Sequence, residues 1–543
     1  MTLSKALIAK FDSTSVVAVI GAGAMGAGIA QITAQSGHRV LLFDQNEAAI
    51  FKAKESVALQ LHKRVLKGKL SQENYDLCLE NIIPTYSMDE LASADLVIEA
   101  IIESLEVKQS LFLELESICK ETCIFTSNTS SISITSIASK LSRPERFLGL
   151  HFFNPAPVMP LVEVISGLAS DQVLAKVLYK ACMRWGKKPV YAKSSPGFIV
   201  NRVARPFYAE ALRILDEQGA SISQIDELMR ECGHFKMGPF ELMDLIGHDV
   251  NYAVTESVFR AYYQDPKFKP SLSQKSLLEA GFLGRKTGRG FYQYNSNGEK
   301  YLQNNITDLP IDRNWTESKA PDGLIKQIQV TSKQENQPSQ MSPTKGLIER
   351  FLSNNFYFDN ETNQDLEQQI ITIFTFGEAH IGLTNGLTAT ERAKEEKLNN
   401  LVLFDLAFDY SSITKLAISA SDNCSSQALD DAFTLFDLIG ITLIKLDDIP
   451  GLVLMRTLAM LTNEAVETRL QGVATGEDID KAMCAGVNYP QGPIAWGQRV
   501  GLTLIHQVLT NLQLSYGEDR YRPSSLLRRL SVSGKKIVNE LAQ

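Results

Sequence analysis

The hydrophobic pattern opens with a short apolar run at 15–20 that ends directly in glycines. A helical pattern follows at 24–36, then a second apolar run at 39–43 that closes on Asp44. Strand, glycine-rich turn, helix and strand make a β-α-β unit. Further apolar runs at 96–99, 123–126, 147–150 and 161–164 are separated mostly by helical segments. Residues 1–192 therefore predict an α/β fold, a Rossmann-type doubly wound parallel sheet. After Pro196 and Gly197 the pattern turns helical, with candidates at 199–217, 222–232 and 240–263, which defines an all-α domain at 193–294. Residues 295–345 are rich in Asn, Gln, Ser, Lys and Pro and read as a linker with little core.

The remainder contains a repeat. Adding 254 carries Pro196 and Gly197 onto Pro450 and Gly451, Arg202 onto Arg456, Glu210 onto Glu464, Asp226 onto Asp480 and Gly247 onto Gly501. One register kept across some fifty residues marks 447–543 as a second helical domain. Carried backwards, it sets His151 on Asp405, Glu163 on Ala417 and Asn201 on Met455. Residues 346–446 are too few for a full dinucleotide-binding half before Asp405 and predict a truncated α/β remnant. The second copy is expected to be non-catalytic.

At 543 residues the chain exceeds one core. Its formal net charge of −8 gives no support for a nucleic-acid partner, whose phosphates call for a basic face. No apolar run approaches a membrane span, and residues 1–15 lack a secretory signal's apolar core, so a cytoplasmic location is expected. Seven scattered cysteines without a Cys-x-x-Cys read as reduced, buried thiols.

Chemistry enters at the glycines. Gly21 permits a tight turn, Gly23 lets backbone approach a pyrophosphate, and Gly26 allows helix–strand packing. Asp44 suits an adenosine ribose and would repel a 2′-phosphate, which favours NAD over NADP. The competing reading is a glycine turn that binds nothing. His151 follows an apolar strand, and Glu163 sits within an apolar strand where a buried carboxylate needs a partner. His151 is the natural one, although a lone histidine is more often structural. Ser130 lies in a loop after a sheet strand, where open α/β folds bind ligands, yet such loops also simply cap helices. Asn201 opens the helical domain and is either a site residue or an ordinary helix residue. The basic run containing Lys63, Arg64, Lys67 and Lys69 is a solvated face or a polyphosphate contact.

These motifs, with Glu99 to Glu103, Ser127 to Ser131, Gly149 to Pro155, Pro196 to Arg202 and Met237 to Leu242, resemble the L-3-hydroxyacyl-CoA dehydrogenases of fatty-acid oxidation. The longer, duplicated architecture is similar to the 3-hydroxyadipyl-CoA dehydrogenases of bacterial phenylacetate catabolism. The resemblance implies NAD-dependent oxidation of a (3S)-3-hydroxyacyl-CoA to the 3-ketoacyl-CoA, without a metal. It implies His151 as base, Glu163 as its orienting partner, and Ser130 and Asn201 as groups that hold substrate and cofactor. Asp44, Glu103, Lys108, Asn154 and Lys286 fall where that family contacts NAD, and Lys67 lies nearest its coenzyme A contact. Family members dimerise through the helical domain, so an intrachain pseudo-dimer is expected, with further self-association left open. Competing expectations are a 3-hydroxybutyryl-CoA or general β-oxidation dehydrogenase and, from another class, an NAD-binding structural protein of the crystallin kind. An adipyl chain would bring a second carboxylate, for which Arg202 and Arg205 are the candidates.

Overall fold

β1 (Val17–Ile20) buries all four of its residues, as do β2 (Val40–Phe43) and β4 (Leu96–Glu99). Strands covered by helices on both faces have this continuous apolar character. With β3 (Ile82–Thr85), β5 (Ile124–Ser127), β6 (Phe147–Phe152), β7 (Leu161–Ser166) and β8 (Lys188–Lys193) they form one sheet ordered β3-β2-β1-β4-β5-β6-β7-β8. Helices α1 (Ala24–Gln35) and α2 (Glu47–Leu66) flank it, and Asn46 caps α2 by accepting from the Ala48 amide at 3.1 Å. The computed structural model describes residues 11–301, 327–335, 343–359 and 369–537. Among them, no helix is long and apolar enough to cross a membrane.

The Rossmann-type architecture is present, with three local departures from the sequence reading. First, the sheet is not wholly parallel: β7 runs antiparallel to β6, and β8 parallel to β7. The connection at 153–160 is too short for a parallel crossover, which needs about a dozen residues or more, so the chain can only turn back. Second, the helix expected over 199–217 divides into α3 (Val200–Val203) and α4 (Arg205–Asp216). Pro206 lacks an amide and its ring crowds the carbonyl one turn earlier. The helix expected over 240–263 likewise divides into Pro239–Ile246 and His248–Ala261, at Gly247 with φ of 97°. Third, Gln327–Glu335, inside the expected linker, is a strand, whereas 302–326 and 336–342 lie outside the described residues.

That strand, β9, joins β10 (Tyr357–Asp359), β11 (Gln369–Phe376), β12 (Ala379–Leu383), β13 (Leu401–Phe404), β14 (Lys415–Ala420) and β15 (Thr442–Lys445) in a second sheet ordered β10-β9-β11-β12-β13-β14-β15. Its last four strands repeat the parallel, antiparallel, parallel pairing of β5 to β8. The helical repeat is present as α5 (Ile222–Glu231) in the first copy and α6 (Leu454–Leu470) in the second.

Over the described residues the chain divides into two units, one of 11–202 with 471–487 and one of 203–470 with 488–537. Each unit includes a helix from the other copy. In the first, helix Gly476–Val487 packs on β7 and β8, and Lys481 donates to the Pro189 carbonyl at 2.7 Å. In the second, α5 packs on β14, Glu227 pairs with Lys415, and Glu231 accepts from the Thr414 amide at 2.8 Å. The second unit also packs α4 against α6 around a buried ionic cluster. Glu210, fully buried, accepts from Arg456 at 2.7 Å, Arg520 at 3.0 Å and the Tyr521 hydroxyl at 3.0 Å. Burial alone would raise the Glu210 carboxyl, but the charges and hydrogen bonds of Arg520 and Arg456 hold it down at about 2.

Candidate active site

Register lines up one edge of the first sheet. Ile20 pairs with Glu99, Glu99 with Ser127, and Ser127 with Gly149. The glycine turn, the loop after β4, the loop after β5 and the end of β6 therefore emerge together at the carboxyl edge. That is where α/β sheets bind ligands.

β6 continues past this line to His151, and antiparallel β7 returns with Glu163 directly opposite. His151 Nδ1 lies 2.7 Å from Glu163 Oε2, and both residues are buried. The other carboxylate oxygen, Oε1, accepts from the Ile199 and Val200 amides at 3.0 and 3.1 Å. Those amides open α3, where backbone N–H groups have no helical partner. Glu163 is thereby fixed at both oxygens. An ionised carboxylate only accepts, so Nδ1 carries the proton and donates, which leaves Nε2 with a lone pair. Phe153 and Phe198 flank the ring at 4.5 and 5.9 Å between centroids. Chemically, an imidazole held this way can accept a proton at Nε2.

The loop after β5 is organised by two acids. Glu99, fully buried, accepts from the Ser127 hydroxyl at 2.6 Å, the Ile101 amide at 2.8 Å and Lys108 at 2.6 Å. Glu103 Oε1 accepts from the Thr129 hydroxyl at 2.6 Å, the Ser130 amide at 3.0 Å and the Ser131 hydroxyl at 2.9 Å. Burial opposes ionisation of Glu103, but the Thr129 hydrogen bond and the Lys108 charge outweigh it and lower its pKa. Lys108 is 1% exposed and bridges the two acids, at 3.3 Å from Glu103. Asn128 Oδ1 accepts from the Phe152 amide at 2.8 Å and ties the loop to the end of β6. Ser130 is thus held, half-buried, beside the His151 strand. The sequence reading did not assign Glu99, Ser127, Asn128 or Thr129. The rule applied to Glu163, that a buried acid in an apolar strand requires a partner, would have found Glu99.

The glycine turn fits a dinucleotide. Gly21 has φ of 100°, and a Cβ on Gly26 would lie 1.7 Å from the Gly21 carbonyl oxygen, so bulkier residues would open the turn. A Cβ on Gly23 would meet nothing within 4 Å, and α1 starts there with no side-chain cap. Uncapped helix amides facing open space suit a pyrophosphate. Asp44, half-buried at the end of β2, accepts from the Ala22 amide at 2.7 Å and the Asn46 amide at 2.9 Å. This ties it to the turn with acceptor capacity to spare for a ribose.

The other expected residues are more dispersed. Asn201 is half-buried on α3, next to Val200, whose amide binds Glu163. Asn154 is exposed after β6, and Lys67 is exposed at the end of α2. Lys286 is exposed and pairs with Asp249 at 2.5 Å. In the second copy, Asp405 sits opposite Ala417 and accepts from the Leu406, Val453, Leu454 and Met455 amides at 2.7–2.9 Å. Burial raises Asp405 to about 6, against the four amide hydrogen bonds, which favour its carboxylate form. It has no imidazole beside it to orient.

Three family descriptions match in order. The 3-hydroxyacyl-CoA dehydrogenase NAD binding domain matches residues 16–195 and the C-terminal domain of the same family 197–294 and 451–539. The 3-hydroxybutyryl-CoA dehydrogenase reduced Rossmann-fold domain matches 381–450. The chain is 42% identical over 513 residues to the 3-hydroxyadipyl-CoA dehydrogenase of Escherichia coli, covering 94% of this chain and 96% of that one. It is 40% identical over 279 residues to the 3-hydroxybutyryl-CoA dehydrogenase of Clostridioides difficile, covering 51% of this chain and 99% of that one. A crystal structure of 3-hydroxybutyryl-CoA dehydrogenase from Escherichia coli K12 aligns with a TM-score of 0.81 at 40% identity, over 96% of this chain and 99% of that one. The relatives' names differ in acyl chain and agree on a 3-hydroxyacyl-CoA dehydrogenase reaction, and the matched family domain is described as binding NAD. Two domain types, each in its place, and a relative matched over nearly the whole chain put the chain in the 3-hydroxyacyl-CoA dehydrogenase family.

Proposed function

We propose that the chain oxidises the C3 hydroxyl of a (3S)-3-hydroxyacyl-CoA with NAD, His151 acting as base and Glu163 as its partner, and that the preferred acyl chain is the dicarboxylic one of 3-hydroxyadipyl-CoA. The observation that carries the reaction is the 2.7 Å contact between His151 Nδ1 and a Glu163 anchored by two amides. The relative named for the adipyl substrate extends over 94% of this chain, which supports the acyl assignment and a place in phenylacetate catabolism.

NAD, when bound, supplies the hydride acceptor. His151 Nε2 takes the hydroxyl proton as C3 is oxidised, and the Glu163 carboxylate offsets the imidazolium charge that develops. Ser130 and Asn201 hold the reacting oxygen in line, a positioning effect. Gly21, Gly23 and Gly26 accommodate the pyrophosphate, and Asp44 meets the adenosine ribose. Glu103 orders the Ser130 loop, and Lys108 acts by holding Glu103. The family resemblance alone assigns Asn154 and Lys286 to NAD, and Lys67 to the coenzyme A phosphates, which these residues would contact when the ligands are bound.

The second copy takes the place of a partner subunit, an intrachain pseudo-dimer. The α4–α6 packing and the Glu210 cluster support this reading. Comparing kcat/KM for 3-hydroxyadipyl-CoA and 3-hydroxybutyryl-CoA tests the substrate. A ratio above ten is expected, and a ratio below one refutes the dicarboxylic reading.

A further inference from the structure

The second unit contains a cavity of about 1860 Å³, lined only by residues of that unit. One wall is a face of α4, where Arg205, Tyr208, Leu212 and Asp216 recur at helical spacing. The wall is therefore graded along the helix. It begins with a cation, continues apolar for about 10 Å to Leu212, and ends in an acid about 16 Å from the cation. Phe259, Leu277 and Phe291, each half-buried, extend its apolar part.

Arg205 is 5% exposed. Its Nη1 donates to the Thr255 hydroxyl at 2.8 Å, and the guanidinium lies 5.0 Å from the centre of the Tyr208 ring. Its Nε is enclosed without a hydrogen-bond partner, and so is the hydroxyl of Tyr489, a second phenol that acts on its charge. Among the described residues, no carboxylate pairs with Arg205. Other cations of the wall are committed: Arg213 to Glu217 and Glu518, Arg520 to Glu210, and Lys267 to Glu464 at 3.9 Å. Burial lowers the pKa of Arg205, and only the two phenols oppose that. A buried guanidinium without an anion is costly, whereas a planar fork with donors to spare matches a carboxylate. At the other end of the wall, Asp216 accepts from the Ser271 hydroxyl at 3.4 Å and pairs with no cation among the described residues.

We propose that this cavity binds a free monocarboxylate with an apolar chain of medium length, its carboxylate held by Arg205 and its chain laid along Tyr208 and Leu212. Every group the site uses lies in the second unit, and it calls on no residue of the His151 site. The ligand's chemistry follows from the graded wall. Its chain covers apolar side chains, and its head supplies the anion that Arg205 lacks. An alcohol of the same length would leave that charge unanswered, and a second carboxylate at the far end would meet Asp216.

The test is isothermal titration calorimetry of the full-length protein, without NAD or acyl-CoA, against octanoate, octanol and octanedioate. Wild type is expected to bind octanoate at one per chain, octanedioate about tenfold more weakly, and octanol without saturation. Arg205→Met should weaken octanoate about 10- to 100-fold, and Arg205→Lys severalfold, since an ammonium lacks the fork. Leu277→Glu leaves Arg205 intact and should abolish octanoate binding by bringing a like charge to the apolar wall. If R205M does not fold, R205K and L277E decide. No saturable binding of octanoate to wild type, wild-type affinity in these variants, or octanol bound as tightly as octanoate overturns the site. Octanedioate bound as tightly as octanoate overturns the role given to Asp216 and the restriction to monocarboxylates.

Discussion

Replacing Glu163 by Gln separates the two tasks of this residue. The carboxylate accepts at both oxygens, from His151 at Oε2 and from the Ile199 and Val200 amides at Oε1. Glutamine has one acceptor and one donor. With its oxygen toward the amides, its NH₂ faces Nδ1, which must then be the unprotonated nitrogen. The proton moves to Nε2, and the base has no lone pair for the substrate. With its oxygen toward Nδ1, the tautomer is right, but the NH₂ confronts two buried amide donors. Leaving both unsatisfied costs about 2–6 kcal/mol, at 1–3 kcal/mol each. At 1.36 kcal/mol per tenfold, 2–6 kcal/mol is about 1.5 to 4.4 decades, and the competent state falls by about that much, centred near 10⁻³ of the total. NADH formation by E163Q should therefore show kcat down by 10²–10⁴, with KM for the acyl-CoA within about threefold and the thermal midpoint within a few degrees of wild type. A kcat within threefold of wild type would refute the tautomer argument. A large drop in thermal midpoint accompanied by equal losses in kcat and protein stability would show that Glu163 is only a structural anion.

Other consequences are read from the second copy and from the ionic cluster. Asp405→Asn keeps one acceptor for four amides and should lower stability by about 2–4 kcal/mol in denaturant titrations, while kcat stays at the wild-type value; a fall in kcat at full stability would contradict its structural role. Glu210 drops from 4.5 to about 2 on folding, so its stabilisation is complete above pH 4.5 and is lost as pH falls toward 2. Glu210→Gln should cost about 3 kcal/mol at neutral pH, with a gap to wild type that closes in acid; a constant gap across that range would exclude the linkage. Titration with NAD should saturate at one equivalent per chain, and two equivalents would restore function to the second copy.

What the sequence revealed and what it hid follow from the range of the interactions. The turn holding Gly21, Gly23 and Gly26 is local, so spacing alone exposed it. The repeat was legible because its register survives in three dimensions: Asp405 stands opposite Ala417 as His151 stands opposite Glu163. The reversal between β6 and β7 was invisible, because an apolar run has no direction until the length of its connection is weighed. β9 was hidden by its polar composition; Ile328 is buried while Gln329 and Thr331 face solvent. The placement of helix Gly476–Val487 on β7 and β8 is a contact across nearly 300 positions of sequence, which no local pattern reports. Glu99 and Lys108 are nine residues apart across a strand–loop–helix join, and only the fold brings them to 2.6 Å.

The two copies together show which part of the dyad the fold itself requires. In both, the chain after the outer strands begins a helix whose first amides are buried, at Ile199 and Val200 in one and at Val453 to Met455 in the other. Buried amides without acceptors are costly whether or not any reaction is run, so each copy must supply an anion there. The first supplies it from β7, with Glu163, and the long side chain leaves room on β6 for an imidazole. The second supplies it from the residue after β13, with Asp405, whose carboxylate is already where the imidazole would have to be. Restoring a histidine at 405 would therefore remove the helix's anion rather than rebuild a base, unless Ala417 became glutamate as well. A carboxylate answers the helix amides in both copies, and the imidazole on its second oxygen accompanies it at Glu163 and not at Asp405, so the anion is what the fold requires and the histidine is not.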